Sequence, residues 1–149
     1  MSFLSSLDIA GSGLTATRLR MDIISENITN QSTTRTNPED EVATPYRRKL
    51  VVYEPIEDKS FKSVFNNKLG NTQVKGVRVA KIVEDERDFT PVYNPEHPDA
   101  NEDGYVLMPN VDPIKETLDM MAATRAYDAN ITAFNAVKSM ALRALEIGK

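Results

Sequence analysis

Asp112–Gly148 reads DPIKETLDMMAATRAYDANITAFNAVKSMALRALEIG, and this stretch decides the fold. Asp112 is suited to cap a helix, because its carboxylate can accept backbone N–H bonds that lack helical partners. Pro113 follows at the first helical position, where a missing N–H costs nothing. Gly148 stands just past the last apolar residue, where a left-handed cap favours glycine. No proline or glycine interrupts the interval, so one helix of about 50 Å is predicted. Met120, Tyr127, Ile131, Phe134, Ala141 and Leu145 recur at three- and four-residue steps, one apolar stripe. A second stripe is built of small residues, Ala122, Ala126, Ala129, Ala133 and Ala136, continued by Met140 and Ala144, while Leu118, Val137 and Leu142 widen the apolar surface. A lone surface helix needs one stripe. Two predict burial on more than one side.

The rest of the chain supplies little with which to bury them. Its 149 residues suit one ordinary domain, but 40% hydrophobic content, 7% aromatic content and no tryptophan limit the core. A net charge of −4 gives no bulk attraction to nucleic acid or to an anionic membrane. Arg47-Arg48-Lys49 is the one tight basic cluster, read here as the solvated face of a strand. With no cysteine, disulfides and thiolate chemistry are absent. The N-terminus lacks a secretory signal pattern, and no apolar run is long enough for a membrane span, so no direct membrane insertion is expected.

The first thirty residues, MSFLSSLDIAGSGLTATRLRMDIISENITN, predict a second helix. Ser5 to Asp8 have capping-box spacing, and the helix can begin a few residues earlier. Leu7, Leu14, Met21 and Ile28 lie seven apart, with Phe3, Ala10, Thr17 and Ile24 at the other seam position. That is a heptad pattern, the mark of helices that wrap a partner helix. Gly11 and Gly13 each cost about 1 kcal/mol inside a helix, which reads either as a loosened first turn or, the favoured reading, as a neighbouring backbone that comes very close. Gly11–Ala16 also fits G-x-G-x-x-A, but neither the preceding strand nor the βαβ repeat of a dinucleotide site surrounds it.

Gln31 to Glu41 is polar and reads as a linker. Strands are predicted at Tyr46–Tyr53, Lys75–Val83, Phe89–Tyr93 and Tyr105–Met108, forming one small, mostly antiparallel sheet. Between the first two, Asp58–Thr72 reads as a flexible loop with Phe61 and Phe65 as its anchors. Asp99-Ala100-Asn101-Glu102-Asp103-Gly104 matches the first half of a calcium loop, but position twelve is Asn110 where a bidentate Glu belongs. Pro98 and Pro109 also exclude the flanking helices, so an Asx/Gly turn is the expected reading. His97 is the only histidine, and neither a zinc cluster nor a nucleophile–base pair can be assembled around it. No catalytic residue, cofactor or metal site is expected. The chain is not read as an enzyme.

The predicted fold class is α+β: long N- and C-terminal helices paired antiparallel as a coiled-coil inner layer, with a small antiparallel β-rich middle and extended loops. The expected division is 1–34 as the N-terminal helix of an inner assembly domain, 35–110 as the β-rich middle with a flexible loop near 56–76, and 111–149 as the C-terminal helix. Two helices cannot cover both the second stripe and a full heptad seam. The remainder is an association patch, and the ends are expected to order on assembly.

Ser12–Thr33, SGLTATRLRMDIISENITNQST, resembles the N-terminal motif A-N-N-I-A-N-x-x-T of bacterial flagellar axial proteins. Asn27, Ile28, Asn30 and Thr33 match, whereas Ser25 and Thr29 replace alanine and Glu26 replaces Asn or Ser. Three further segments are similar to the proximal rod proteins of the flagellar basal body: ATPYRRKLVVYE (Ala43–Glu54), PVYNPEHPDANEDGYVLMPNVDP (Pro91–Pro113) and ATRAYDANITAFNAVKSMALRALEIG (Ala123–Gly148). Ile56–Gly76 carries no resemblance. The short middle also differs from the distal rod, hook and filament proteins, which have large inserted domains.

The resemblance implies a structural subunit of a hollow helical shaft in the periplasmic space, exported by the flagellum's own type III apparatus without a cleaved signal. It implies as partners copies of the chain, other flagellar rod proteins, the rod-to-membrane-ring junction proteins and the export apparatus, and no nucleic acid. The expected assembly interface comprises Leu7, Gly11, Gly13, Leu14, Met21, Ile24, Asn27, Ile28 and Asn30 on the first helix. On the last it comprises Tyr127, Ile131, Phe134, Val137, Ala141 and Leu145. A cytosolic coiled-coil adaptor or export chaperone and a calcium-binding module remain as rival readings of the same residues.

Overall fold

A computed structural model describes residues 3–37, 39, 43–57, 65 and 75–147. The expected Gly148 cap and most of the expected loop at 56–76 lie outside these residues, as does Phe61, while Phe65 is exposed. The order is α1 (Phe3–Thr29), β1 (Lys49–Pro55), β2 (Val77–Glu84), β3 (Thr90–Tyr93), β4 (Tyr105–Met108) and α2 (Pro113–Ile147). The fold is α+β, with the two long helices at the chain ends and strands only in the middle. Neither helix is long and apolar enough to cross a membrane.

The start of α2 follows from Asp112. Its Oδ1 accepts the N–H of Ile114 at 3.0 Å and of Lys115 at 3.3 Å, and its carbonyl accepts the Glu116 N–H. These bonds, the one from Lys115 first, hold the Asp112 carboxyl below its usual range. At the end of α1, the Asn30 amide nitrogen donates to Glu26 O at 2.9 Å, and Asn30 Oδ1 accepts from the Thr33 hydroxyl. That side chain closes the last turn of α1.

Two compact units divide the chain. One comprises Met1–Arg20, Val52–Lys81 and Ala123–Lys149, the other Met21–Val51 and Ile82–Ala122. In the first, an added Cβ on Gly13 would lie 3.2 Å from the Asn130 side chain. In the second, Asn27 bonds Glu116.

Among the described residues the strands make two two-stranded sheets, β1–β2 and β3–β4, where one sheet was expected. The break lies at Asp85–Phe89. The Asn110 side-chain amide donates to the carbonyls of Asp85 and Arg87, and the Asp85 carboxylate accepts the Arg87 N–H, which turns the chain away after β2. β1 also starts later than predicted, at Lys49. The backbone N–H groups of Tyr46 and Arg48 are already committed to Thr33 O and Asn110 Oδ1. β3 and β4 are antiparallel, with Thr90 opposite Met108 and Tyr93 opposite Tyr105.

In the first unit, β2 enters directly against α1. Gly76 has φ +128°, and an added Cβ there would lie 2.3 Å from Ser12 Oγ, which itself accepts the Val77 N–H. Both the backbone and the space require glycine. Gly76→Ala should therefore lower the unfolding free energy by about 1–3 kcal/mol in chemical denaturation. Gly11→Ala, with nothing within 4 Å of the new methyl, should be neutral or raise it by up to about 1 kcal/mol.

Candidate assembly surfaces and the cluster that positions them

The unit Met21–Val51 and Ile82–Ala122 is built on a buried polar cluster. Asn27, in the middle of the flagellar-type motif, is 1% exposed and uses every hydrogen-bonding position of its amide. Its Nδ2 donates to Lys49 O at 2.9 Å and to Glu116 Oε2 at 3.1 Å. Its Oδ1 accepts from Tyr46 Oη at 3.0 Å and from the Lys49 N–H at 2.9 Å. One side chain thus ties α1 to β1 and to α2.

Glu116 is fully buried, and its other oxygen accepts Arg48 Nε at 2.7 Å and Nη2. Arg48 Nη1 reaches Asp85 at 3.5 Å. Arg87 binds the Asp85 carboxylate through Nε and Nη2. That pairing, assisted by Arg48, holds the Asp85 carboxyl down at about 2. Burial, with Glu26 and Glu116 nearby, pushes the Tyr46 hydroxyl up to about 12. The basic triplet is therefore not a solvated face. Arg48 is paired inside, Lys49 pairs with Glu26, and the Arg47 guanidinium lies 4.6 Å over the Phe89 ring. Compensation by carboxylates distant in sequence is what allows Arg48 and Lys49 inward, while Arg47 also donates to the Asp85 carbonyl.

The expected interface residues divide into covered and uncovered ones. On α1, Ile24 and Asn27 are buried within the chain, and Leu7, Gly11, Gly13, Leu14, Met21, Ile28 and Asn30 are half-buried. Gly13 meets the side chain of Asn130, not a backbone, and Gly11 meets nothing within 4 Å. The deepest positions of α1 include Ala16 and Ile23, which the heptad reading does not single out. On α2, Tyr127, Ile131, Phe134, Val137 and Ala141 are half-buried, so the large-residue stripe turns inward. The small-residue stripe, from Ala122 through Met140 to Ala144, is exposed at every position. Leu118, Leu142 and Leu145 are exposed too, Leu145 at 71%.

The unit containing Met1–Arg20 also holds an open groove of about 540 Å³, lined by Ile9, Gly13, Ala16, Tyr53, Ala123 and Asn130 among others. Glu116, Arg48, Asp85 and Ala123 were not legible as a set. Each looks ordinary alone, and only Asn27 carried a motif signal.

In the Asp99–Gly104 loop, Asp99 Oδ2 accepts from the Thr34 hydroxyl and Oδ1 from Arg35 Nε. Asn101 Oδ1 accepts the N–H groups of Asp103 and Tyr105, and Gly104 has φ +79°, the geometry of an Asx turn joining β3 to β4.

Comparison with known proteins agrees with a chain whose two end helices carry its character. The "Flagella basal body rod protein" family matches residues 7–35, and the "Flagellar basal body rod FlgEFG protein C-terminal" family matches residues 102–147. Both describe subunits of the flagellar rod. Flagellar basal-body rod protein FlgC of Bacillus subtilis is 48% identical over 152 residues, covering all of both chains. FlgC of Borreliella burgdorferi is 43% identical over 99% of this chain and 98% of its own, and FlgC of Escherichia coli O157:H7 is 37% identical over the full length of both. The chain belongs to the FlgC family of flagellar basal-body rod proteins, as a structural subunit of the rod.

Replacing Asn27 by Ala should strip a hydrogen bond from buried Glu116 and from the Tyr46 hydroxyl. A loss of about 2–4 kcal/mol is expected in urea unfolding, against well under 1 kcal/mol for exposed Asp22→Ala. Asp85 makes stability pH-dependent. Its folded value lies below its ordinary 3.8, so its contribution is complete above about pH 5 and is lost as pH falls through 4 towards 2. Arg87→Ala should flatten that part of the stability–pH curve measured by thermal melting.

Proposed function

We propose that this subunit is built into a hollow helical shaft through its terminal helices, with 1–34 and 111–149 as the inner packing layer and 35–110 as the outer contact region. The observation that carries the proposal is the uncovered surface of α2. A long helix that turns most of its large-residue stripe inward leaves Leu118 and Met140 more than half exposed along the stripe of small residues, and Leu142 and Leu145 more than half exposed on its other side near the C-terminal end. Patches of this kind mark association surfaces. Small residues let a neighbouring helix approach closely, and Gly11, with open space beside it, offers the same on α1. Leu7, Leu14, Met21 and Ile28 on α1, and Tyr127, Ile131, Phe134, Val137 and Ala141 on α2, keep part of their surface for such contacts. Ile24, Asn27, Gly13 and Asn30 act by holding the helices in position.

A shaft of interlocked helices resists twist, which is what transmits torque, and its axial channel passes exported subunits. The partners are copies of the chain, the other rod proteins and the proteins that join the rod to the membrane ring. The site is the periplasmic part of the basal body, reached through the flagellar export apparatus. The relatives' shared name as rod proteins supports a mechanical role, not an enzymatic one.

Leu145→Asp tests the reading. Losing a leucine contact worth about 1.5–3 kcal/mol should cut incorporation into purified basal bodies at least about tenfold, while secretion of the variant continues. Normal motility in that strain would overturn the terminal-helix mechanism.

A further inference from the structure

The two compact units differ in charge far more than the net value of −4 suggests. The unit Met21–Val51 and Ile82–Ala122 holds 16 of the 22 acids and 6 of the 18 bases, a net charge of −10. The other holds the remaining 6 acids and 12 bases, a net charge of +6. Each unit also exposes an apolar face without a cover among the described residues.

In the acidic unit that face is on the β3–β4 hairpin. The register places Pro91 opposite Leu107 and Tyr93 opposite Tyr105, so these four side chains share one face and Val92 with buried Val106 take the other. Tyr93 is 65% exposed, Tyr105 and Leu107 are 44% exposed, and the tyrosine rings meet edge to face at 5.3 Å. Glu96, Glu102 and Asp103 rim the hairpin, exposed and without an ion pair among the described residues. In the basic unit the matching face is the outer side of α2. Ala126, Ala129, Ala133, Ala136 and Ala144 form a shallow exposed stripe, and exposed Arg125 and Arg143 stand five helical turns apart along its edge.

We propose that the hairpin face of one copy docks on the outer α2 face of a second copy of this chain, a contact that rests on the rod reading above and names one of its interfaces. Large aromatic side chains meet a stripe of small ones, and acids meet arginines. Tyrosine and arginine are the residue types that most often anchor interfaces. The contact joins two different patches, so it is heterologous and propagates from copy to copy, as a helical shaft requires. Charge complementarity selects the second copy. The acidic hairpin of a neighbour in the wrong orientation would face another acidic hairpin and be repelled.

The test uses two full-length variants in cells lacking the native protein, with incorporation measured in purified basal bodies. Glu96→Lys/Glu102→Lys/Asp103→Lys reverses the hairpin rim, and Arg125→Glu/Arg143→Glu reverses the α2 edge. Each alone should fall roughly tenfold in incorporation, because like charges then face one another. Produced together, each supplies the face the other lacks, and incorporation should return. Tyr93→Ala removes an aromatic anchor without changing charge and should also reduce incorporation. Circular dichroism of each purified variant confirms that both helices persist. Normal incorporation of either charge variant, or loss that coexpression does not rescue, overturns the second-copy contact. If Leu145→Asp fails to assemble while the charge variants assemble normally, the rod mechanism stands and this contact falls. If Leu145→Asp assembles normally, the rod mechanism itself falls.

Discussion

The amide of Asn27 is the constraint on which the acidic unit depends. A buried amide unpaired on any side would cost about 1–3 kcal/mol, and here all four of its positions are filled, by Lys49 of β1, Tyr46 just before it and Glu116 of α2. Its partner Glu116 is a carboxylate with no access to water, tolerable because Arg48 supplies two N–H groups and Asn27 a third. Apolar seams alone leave helix register loosely specified, since a slide of one heptad preserves them. A polar cluster with one satisfactory geometry does not permit such a slide, so it defines which residues α1 and α2 present to one another.

The same cluster bears on how little apolar packing the chain needs. Among the described residues α2 leaves a second apolar stripe uncovered, while polar pairing that depends little on core volume ties α1, β1 and α2 together. Among the described residues the largest fully buried side chains are Glu116 and Asn27, not leucine or phenylalanine. In a chain with 7% aromatic residues and no disulfide, charge and amide pairing take over part of what a large core does elsewhere. Charge is segregated as well, with a net −10 in one unit and +6 in the other.

Much of the architecture was legible because its causes are local. Asp112 and Pro113 marked the start of α2 by chemistry within one turn, and the 3.6-residue spacing of Tyr127, Ile131 and Phe134 marked its inward face. The Asx turn at Asn101–Gly104 was likewise readable from four adjacent residues. The motif drew attention to Asn27 as an interface residue, but spacing could not say that its amide is consumed within the chain.

What the sequence by itself determined was the pair of end helices, their surplus of apolar surface and the short strands between them, because periodicity, caps and turns act over a few residues. What only the tertiary structure decided was the pairing of distant charges and the splitting of the strands into two sheets. Arg48 and Glu116 lie 68 positions apart, and nothing in either neighbourhood says they will meet. The break after β2 depends on Asn110 reaching back to Asp85 and Arg87. Such bonds exist only once the chain has brought remote segments together, so no local pattern can encode them in readable form.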